Sequence, residues 1–198
     1  MSRLMTTRPK FRSNQDSSFG LGQRMLRGLW GIVWLVSFRP TPRPFHAWRR
    51  FLLRLFGAKI GRGAKVYQSA QIWAPWNLTM ADSAVIGPDV DCYCVAPISI
   101  GEETTVSQYC YLCAATHDFE SPGFELVALP ITIKDQVWLC ADVFVGPGVT
   151  IGQGAVVGAR SSVFTDLPAW KVCLGSPAKP HRNRVIRAAD QPNQTRKR

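Results

Sequence analysis

An aliphatic residue, once replaced by Cys, returns at every sixth position over most of the chain. The series runs Ile60, Val66, Ile72 and Leu78, resumes after a two-residue shift at Met80, Ile86 and Cys92, and resumes again at Ile100, Val106 and Leu112. Its longest unbroken stretch is Ile133, Leu139, Val145, Ile151, Val157 and Val163. Gly follows the aliphatic at Gly61, Gly87, Gly101, Gly146, Gly152 and Gly158. A small or medium residue often sits four positions on, as at Ala64, Ala70, Val90, Cys110, Ala155 and Ser161. A helix repeats about every 3.6 residues and a half-buried strand about every 2, so neither explains a period of six. A short strand plus a turn does. Three such units close a triangular coil of about 18 residues, coils stack about 4.8 Å apart, and the repeated aliphatic points into the prism. Gly beside it is expected to allow the backbone angles of the corner. The predicted fold is an all-β solenoid, with residues 60–117 forming about three coils and residues 131–166 about two more. Residues 118–130 break the pattern and are predicted to leave the prism as a loop, the kind of excursion that carries function.

Upstream of the repeat the pattern changes. Residues 1–20 read as a polar, mobile leader. The apolar run Leu29–Phe38 follows and is cut off by Pro40, Pro42 and Pro44. Ala47 to Phe56 then places Trp48, Phe51, Leu52, Leu55 and Phe56 at helical spacing, with Arg49, Arg50 and Arg54 opposite and Gly57 as a C-cap. This is a short amphipathic helix, placed to cover an open end. The expected organisation is a leader, apolar segment and capping helix over 1–59, the solenoid over 60–178, and a basic tail over 179–198.

Charge sharpens the picture. The net charge is +11 over 198 residues, but it sits at the ends. Residues 1–65 carry 14 Lys/Arg against one acid, residues 179–198 seven against one, and residues 66–178 only three against 11 acids. A basic protein with an acidic centre is not a uniformly cationic nucleic-acid sleeve, so no nucleic-acid partner is expected. The apolar run is far short of the roughly 20 residues of a spanning helix. Flanked by Arg24, Arg27, Arg39 and Arg43, it either packs on the body of the protein or on a neighbouring subunit, or lies on an anionic membrane surface. Met1 to Met5 lacks the pattern of a secretory signal, which points to the cytosol and to free thiols. The spacings Cys92-x-Cys94 and Cys110-x-x-Cys113 suggest zinc, but Cys92 and Cys110 fall on inward repeat positions and read better as small buried thiols. No metal is expected.

The period of six, the loop, and the stretches Gly146-Pro-Gly-Val-Thr-Ile-Gly152, Val156-Val-Gly-Ala-Arg-Ser-Ser-Val163 and Gly175-Ser-Pro-Ala-Lys-Pro180 resemble the hexapeptide-repeat acyltransferases. Within them the chain, including Phe51-Leu-Leu-Arg-Leu-Phe-Gly-Ala-Lys-Ile-Gly61, is similar to the colanic acid biosynthesis acetyltransferases, relatives of galactoside and maltose acetyltransferases. The likeness covers roughly residues 45–182. It implies a left-handed parallel β-helix, a homotrimer with sites between neighbouring prisms, and acetyl transfer from acetyl-CoA to the hydroxyl of a sugar or glycan acceptor. Exopolysaccharide assembly at the inner face of the plasma membrane would suit a peripheral membrane contact.

The chain holds three histidines, His46, His117 and His181. His117 closes the first repeat block and matches the family's catalytic histidine. Neutral imidazole suits the removal of a proton from a hydroxyl as it attacks a thioester, without an acyl-enzyme. His46 and His181 read as structural or solvated. By resemblance, Ala141, Ala159, Lys179 and Arg182 match contacts to the coenzyme. Trp138 is either a wall of the site or a corner aromatic, and a backbone N–H near Trp138–Ala141 is the candidate oxyanion donor. Relatives carry a Thr-Lys pair where this chain reads Phe164-Thr165-Asp166, and Arg160 is the candidate substitute. Asp89 and Asp91 are the nearest matches to the family's acceptor-binding Asn or Asp, with corner formation as their alternative role. Asp118, Phe119 and Glu120 are expected to shape the acceptor pocket.

Three other readings are weaker. A zinc carbonic anhydrase on the same helix needs three convergent histidines. A serine-type small-molecule O-acetyltransferase fits the overall match less well. A non-catalytic scaffold binding membrane or nucleic acid through its basic ends lacks an aromatic binding platform.

Overall fold

The six-residue units fold as short strands that stack into three parallel faces of a prism. The computed structural model describes residues 20–186; the leader expected over 1–19 and the tail over 187–198 lie outside the described residues. The first face holds Lys59–Ile60, Leu78–Met80, Ile98–Ile100, Ile131–Ile133 and Thr150–Ile151. The second holds Lys65–Val66, Val85–Ile86, Thr105–Val106, Trp138–Leu139, Val156–Val157 and Lys171–Gly175. The third holds Gln71–Ile72, Asp91–Tyr93, Tyr111–Cys113, Phe144–Val145 and Ser162–Val163. Each repeated apolar residue stacks on its equivalent one coil away. Val66, Ile86, Val106, Leu139, Val157 and Cys173 form one such register column, and all six are 0% exposed. Cys92 and Cys110 lie in the interior, and the six cysteines are free.

The glycines beside the repeat positions do not serve the corner angles. Positive φ falls two residues later, at Gly63, Asp89, Glu103, Gly148, Gly154 and Arg160, and also at Ser83, Tyr109, Gln136 and Asp142. At Gly61, Gly87, Gly101 and Gly152 glycine is needed earlier because the backbones of successive coils touch there. A Cβ on Gly61 would stand 2.5 Å from the backbone of Ala81 and Asp82, and one on Gly87 would stand 2.9 Å from the Val106 carbonyl oxygen.

Helix α1 (Leu21–Val33) runs on into a π-helical turn (Trp34–Phe38), and α2 is His46–Leu55. Together they close the prism's first coil, but not with the face the pattern suggests. Arg49 is fully buried and Arg50 half-buried, while Trp48, Phe51 and Leu55 are exposed and Leu52, Leu53 and, in part, Phe56 pack inward. The cause is the open edge. N–H groups of each coil donate to the next, as Lys65 does to Ala84 O and Gln71 to Val90 O, so the first coil's carbonyls need other donors. Arg54 donates to Ile60 O, Arg50 to Ala64 O, Arg49 to Val66 O, Trp34 to Ala70 O and Trp30 to Ile72 O, at 2.5–3.1 Å. The guanidinium of Arg49 also donates to Thr41 Oγ1 and to the carbonyls of Pro42 and Arg43, fixing the proline-rich connector.

Three insertions interrupt the repeat, and all fall on the edge between the third and first faces. The first is the 3₁₀ turn Pro75–Asn77, the second residues 94–97. The third is not an open loop but an antiparallel hairpin, Ala115–His117 with Leu126–Ala128. At the far end, Ala178–Asn183 pairs antiparallel with Lys171–Gly175. The start of the expected tail is thus the last strand of the second face. Arg184 Nη1 ties it down by donating to Gln136 O and Gly154 O.

Candidate active site

His117 is the last residue of the outgoing hairpin strand and pairs in register with Leu126. Its Nδ1 lies 2.8 Å from Phe124 O. A carbonyl oxygen only accepts, so in the neutral ring Nδ1 carries the proton and Nε2 keeps its lone pair. The imidazole also stacks on Phe124, with ring centroids 4.7 Å apart and planes at 9°. Phe124 itself takes φ +50° in the tip, and Asp118 Oδ1 accepts from the N–H groups of Glu120 and Ser121. These contacts hold the tip as a defined turn. Asp118, Phe119 and Glu120 are exposed on it, adjoining His117 in the chain.

The strand that leads into the hairpin, Tyr111–Cys113, also lines a cleft of about 660 Å³ between the third face and α1. Gln71, Asp91 and Tyr111 form one register column of its floor. Trp73 and Tyr93 add edge-to-face aromatic surface at 5.4 Å, and Arg24 and Arg27 approach from α1, the Arg27 guanidinium 4.0 Å from the Trp73 ring. Burial raises the pKa of the Asp91 carboxyl. Burial, and then a hydrogen bond with Cys113, raise that of the Tyr111 phenol. Asp91 thus lines this cleft. Asp89 does not, being exposed at a corner with φ +55° and donating its N–H to Ser69 Oγ. The sequence pattern does not bring Trp73, Tyr93 and Tyr111 together, nor place Arg24 and Arg27, noted there only as flanks of the apolar run, over them.

The coenzyme candidates lie elsewhere. Ala141, Ala159 and Arg160 occupy the edge between the second and third faces, where Arg160 N–H donates to Ala141 O and its side chain lies 3.4 Å from Asp142. Trp138 is half exposed on the second face and donates to Ser107 Oγ. It shares a register column with Val156, Val172 and Arg182, so Trp138 and Arg182 are about 14 Å apart at ~4.8 Å per strand. Lys179 and Arg182 are exposed on the terminal strand. Small residues on one edge with two cations beyond them suit an extended ligand ending in phosphates. The N–H groups of Trp138 and Cys140 are already donated to Ala155 O and Val157 O, so an oxyanion donor in this stretch falls to the corner, at Ala141. Within one chain, one whole face separates these residues from the His117 hairpin.

His46 Nδ1 lies 3.0 Å from Val66 O in the cap, and His181 is exposed on the last strand. Among the described residues no three His, Cys, Asp or Glu side chains converge as a metal site.

No family model matches the chain. The chain is 50% identical over 157 residues to WcaF of Escherichia coli K12, named as a colanic acid biosynthesis acetyltransferase, covering 79% of this chain and 86% of that protein. It is 29% identical over 121 residues to the galactoside O-acetyltransferase of the same organism, covering 59% of this chain and 53% of that one. Its fold is similar to a hexapeptide-repeat acetyltransferase of Vibrio cholerae complexed with acetyl-CoA, with a TM-score of 0.73 and 25% identity over 82% of this chain and 89% of that one. By this identity and this fold, the chain belongs to the hexapeptide-repeat acetyltransferases, in the branch that contains WcaF.

Proposed function

We propose that this chain moves acetyl from acetyl-CoA to a sugar hydroxyl during exopolysaccharide assembly in the cytosol, with His117 as general base. The observation that carries the reading is the fixed tautomer of His117 on a strand that continues from the aromatic cleft. Nε2 takes the proton as the acceptor oxygen attacks the thioester carbonyl, and returns it to the sulfur as the carbon–sulfur bond breaks. Acid–base assistance of this kind contributes about 10²–10⁴-fold. The cleft suits a saccharide: Trp73, Tyr93 and Tyr111 offer ring faces to its C–H groups, while Gln71, Asp91 and Arg24 offer hydrogen bonds. Asp118, Phe119 and Glu120, exposed next to His117 on the hairpin tip, would shape the acceptor pocket from that side.

The working unit in this reading is a homotrimer. His117 lies off one edge of the prism and the candidates Ala141, Ala159 and Arg160 on another, and a site shared between neighbouring chains would unite them. Trp138, Lys179 and Arg182 then line the path of the coenzyme. A screen of nucleotide-linked and lipid-linked sugars with acetyl-CoA, followed by thiol release, tests the proposal. Saccharide-dependent release supports it, and release driven only by serine or another small amino acid would replace it.

A further inference from the structure

We propose that the outward face of α1 and its π-helical turn seats the protein on the surface of an anionic lipid bilayer. The inference does not depend on the acetyl-transfer reading. α1 is apolar on two sides. Trp30, Trp34 and Phe38, four residues apart, face the prism, and the first two donate their indole N–H groups to it. Opposite them Leu21, Met25, Leu29, Ile32, Leu35 and Val36 stand 53–72% exposed. The stripe continues onto α2. Trp48 donates to Ser37 O at 2.9 Å and stacks on Phe51 at 5.5 Å, which extends the stripe with two exposed aromatic rings. A helix apolar all round requires a cover on each side, and the prism supplies one.

Charge identifies the other. Residues 20–65 hold ten Lys/Arg and no Asp or Glu. Arg24, Arg39 and Arg43 are exposed around the stripe. A two-fold pair built on this face would oppose two cationic surfaces. An anionic bilayer offers apolar depth and negative charge together. No helix among the described residues is long and apolar enough to cross a membrane, so the segment lies in the plane of the interface. Arg24, Arg27, Gly28 and Gly31 line the cleft from this same helix, so docking would hold the cleft at the lipid surface.

The test is co-sedimentation of the full chain with vesicles of phosphatidylcholine, alone or mixed with phosphatidylglycerol. Partitioning onto the mixed vesicles should be at least about tenfold stronger and should weaken with added salt. The double variant Met25→Glu/Ile32→Glu should lose about tenfold or more of it while keeping its circular dichroism spectrum. In the unaltered protein, brominated acyl chains should quench tryptophan fluorescence, less so after Trp48→Phe. Equal partitioning by the parent and the double variant would overturn the proposal, as would failure of the parent to bind anionic vesicles. A double variant that sediments as a smaller species, from a parent that ignores lipid, would overturn it in favour of an interface between copies of the chain.

Discussion

At His117 a single hydrogen bond decides which nitrogen can act as a base. The Phe124 carbonyl claims the Nδ1 proton and the Phe124 ring fixes the plane of the imidazole. Phe124→Gly keeps the carbonyl and tolerates the positive φ, but removes the ring. It should lower kcat about tenfold through lost positioning with little change in Tm, measured by thiol release and thermal unfolding. Gly61 is a structural counterpart. Adding one methyl forces it into the backbone of the next coil, and Gly61→Ala should cost about 1–3 kcal/mol in urea unfolding. The position of His117 was legible as the point where the six-residue pattern stops. The aromatic cleft was not, because Gln71, Asp91 and Tyr111 come together only through coil stacking, 20 residues apart each time. Nor was the reason for the glycines, since close approach between coils leaves the same trace as a special backbone angle.

Among the elements, the N-terminal cap departs furthest from its pattern. Hydrophobic periodicity assigns the arginines of α2 to solvent, because it weighs side chains and ignores the unpaired carbonyls of a first coil. Those carbonyls draw Arg49 and Arg50 inward, hold the guanidinium of the exposed Arg54, and leave Trp48, Phe51 and Leu55 outside. Arg49→Met strips donors from Val66, Pro42 and Arg43 together. It should lower the urea unfolding free energy by about 2 kcal/mol or more, since each orphaned group costs about 1–3 kcal/mol. The cap also sets a pH dependence. Burial is the first cause, ahead of nearby Arg49, Lys65 and Arg50, that holds His46 below the usual 6.5. The unfolded chain therefore binds more protons in the window just below pH 6.5, so stability rises with pH there and falls on acidification. Unfolding midpoints measured across that window should slope this way, and His46→Gln should flatten the slope. The repeat columns, by contrast, were legible residue by residue, because every inward position obeys the same six-residue rule.

For the whole molecule, the solenoid is a ruler that separates tasks. One edge throws out the hairpin with His117, another carries small residues and a corner arginine, and the third face holds an aromatic cleft beneath a helix. How these are united is not encoded in the period of six, because the period describes one prism and its interior, not what neighbours its edges. The stacking of the coils follows from the sequence, though the second face carries six coil strands where about five coils were expected; the pairing of edges between chains needs an assembled particle. The most direct measurement compares the intact chain with His117→Ala, following thiol release from acetyl-CoA with a saccharide acceptor and sedimentation of both proteins. The account predicts a loss of about 10²-fold or more in turnover, with particle size and unfolding midpoint unchanged. A variant of the same size that turns over as fast as the parent would contradict it.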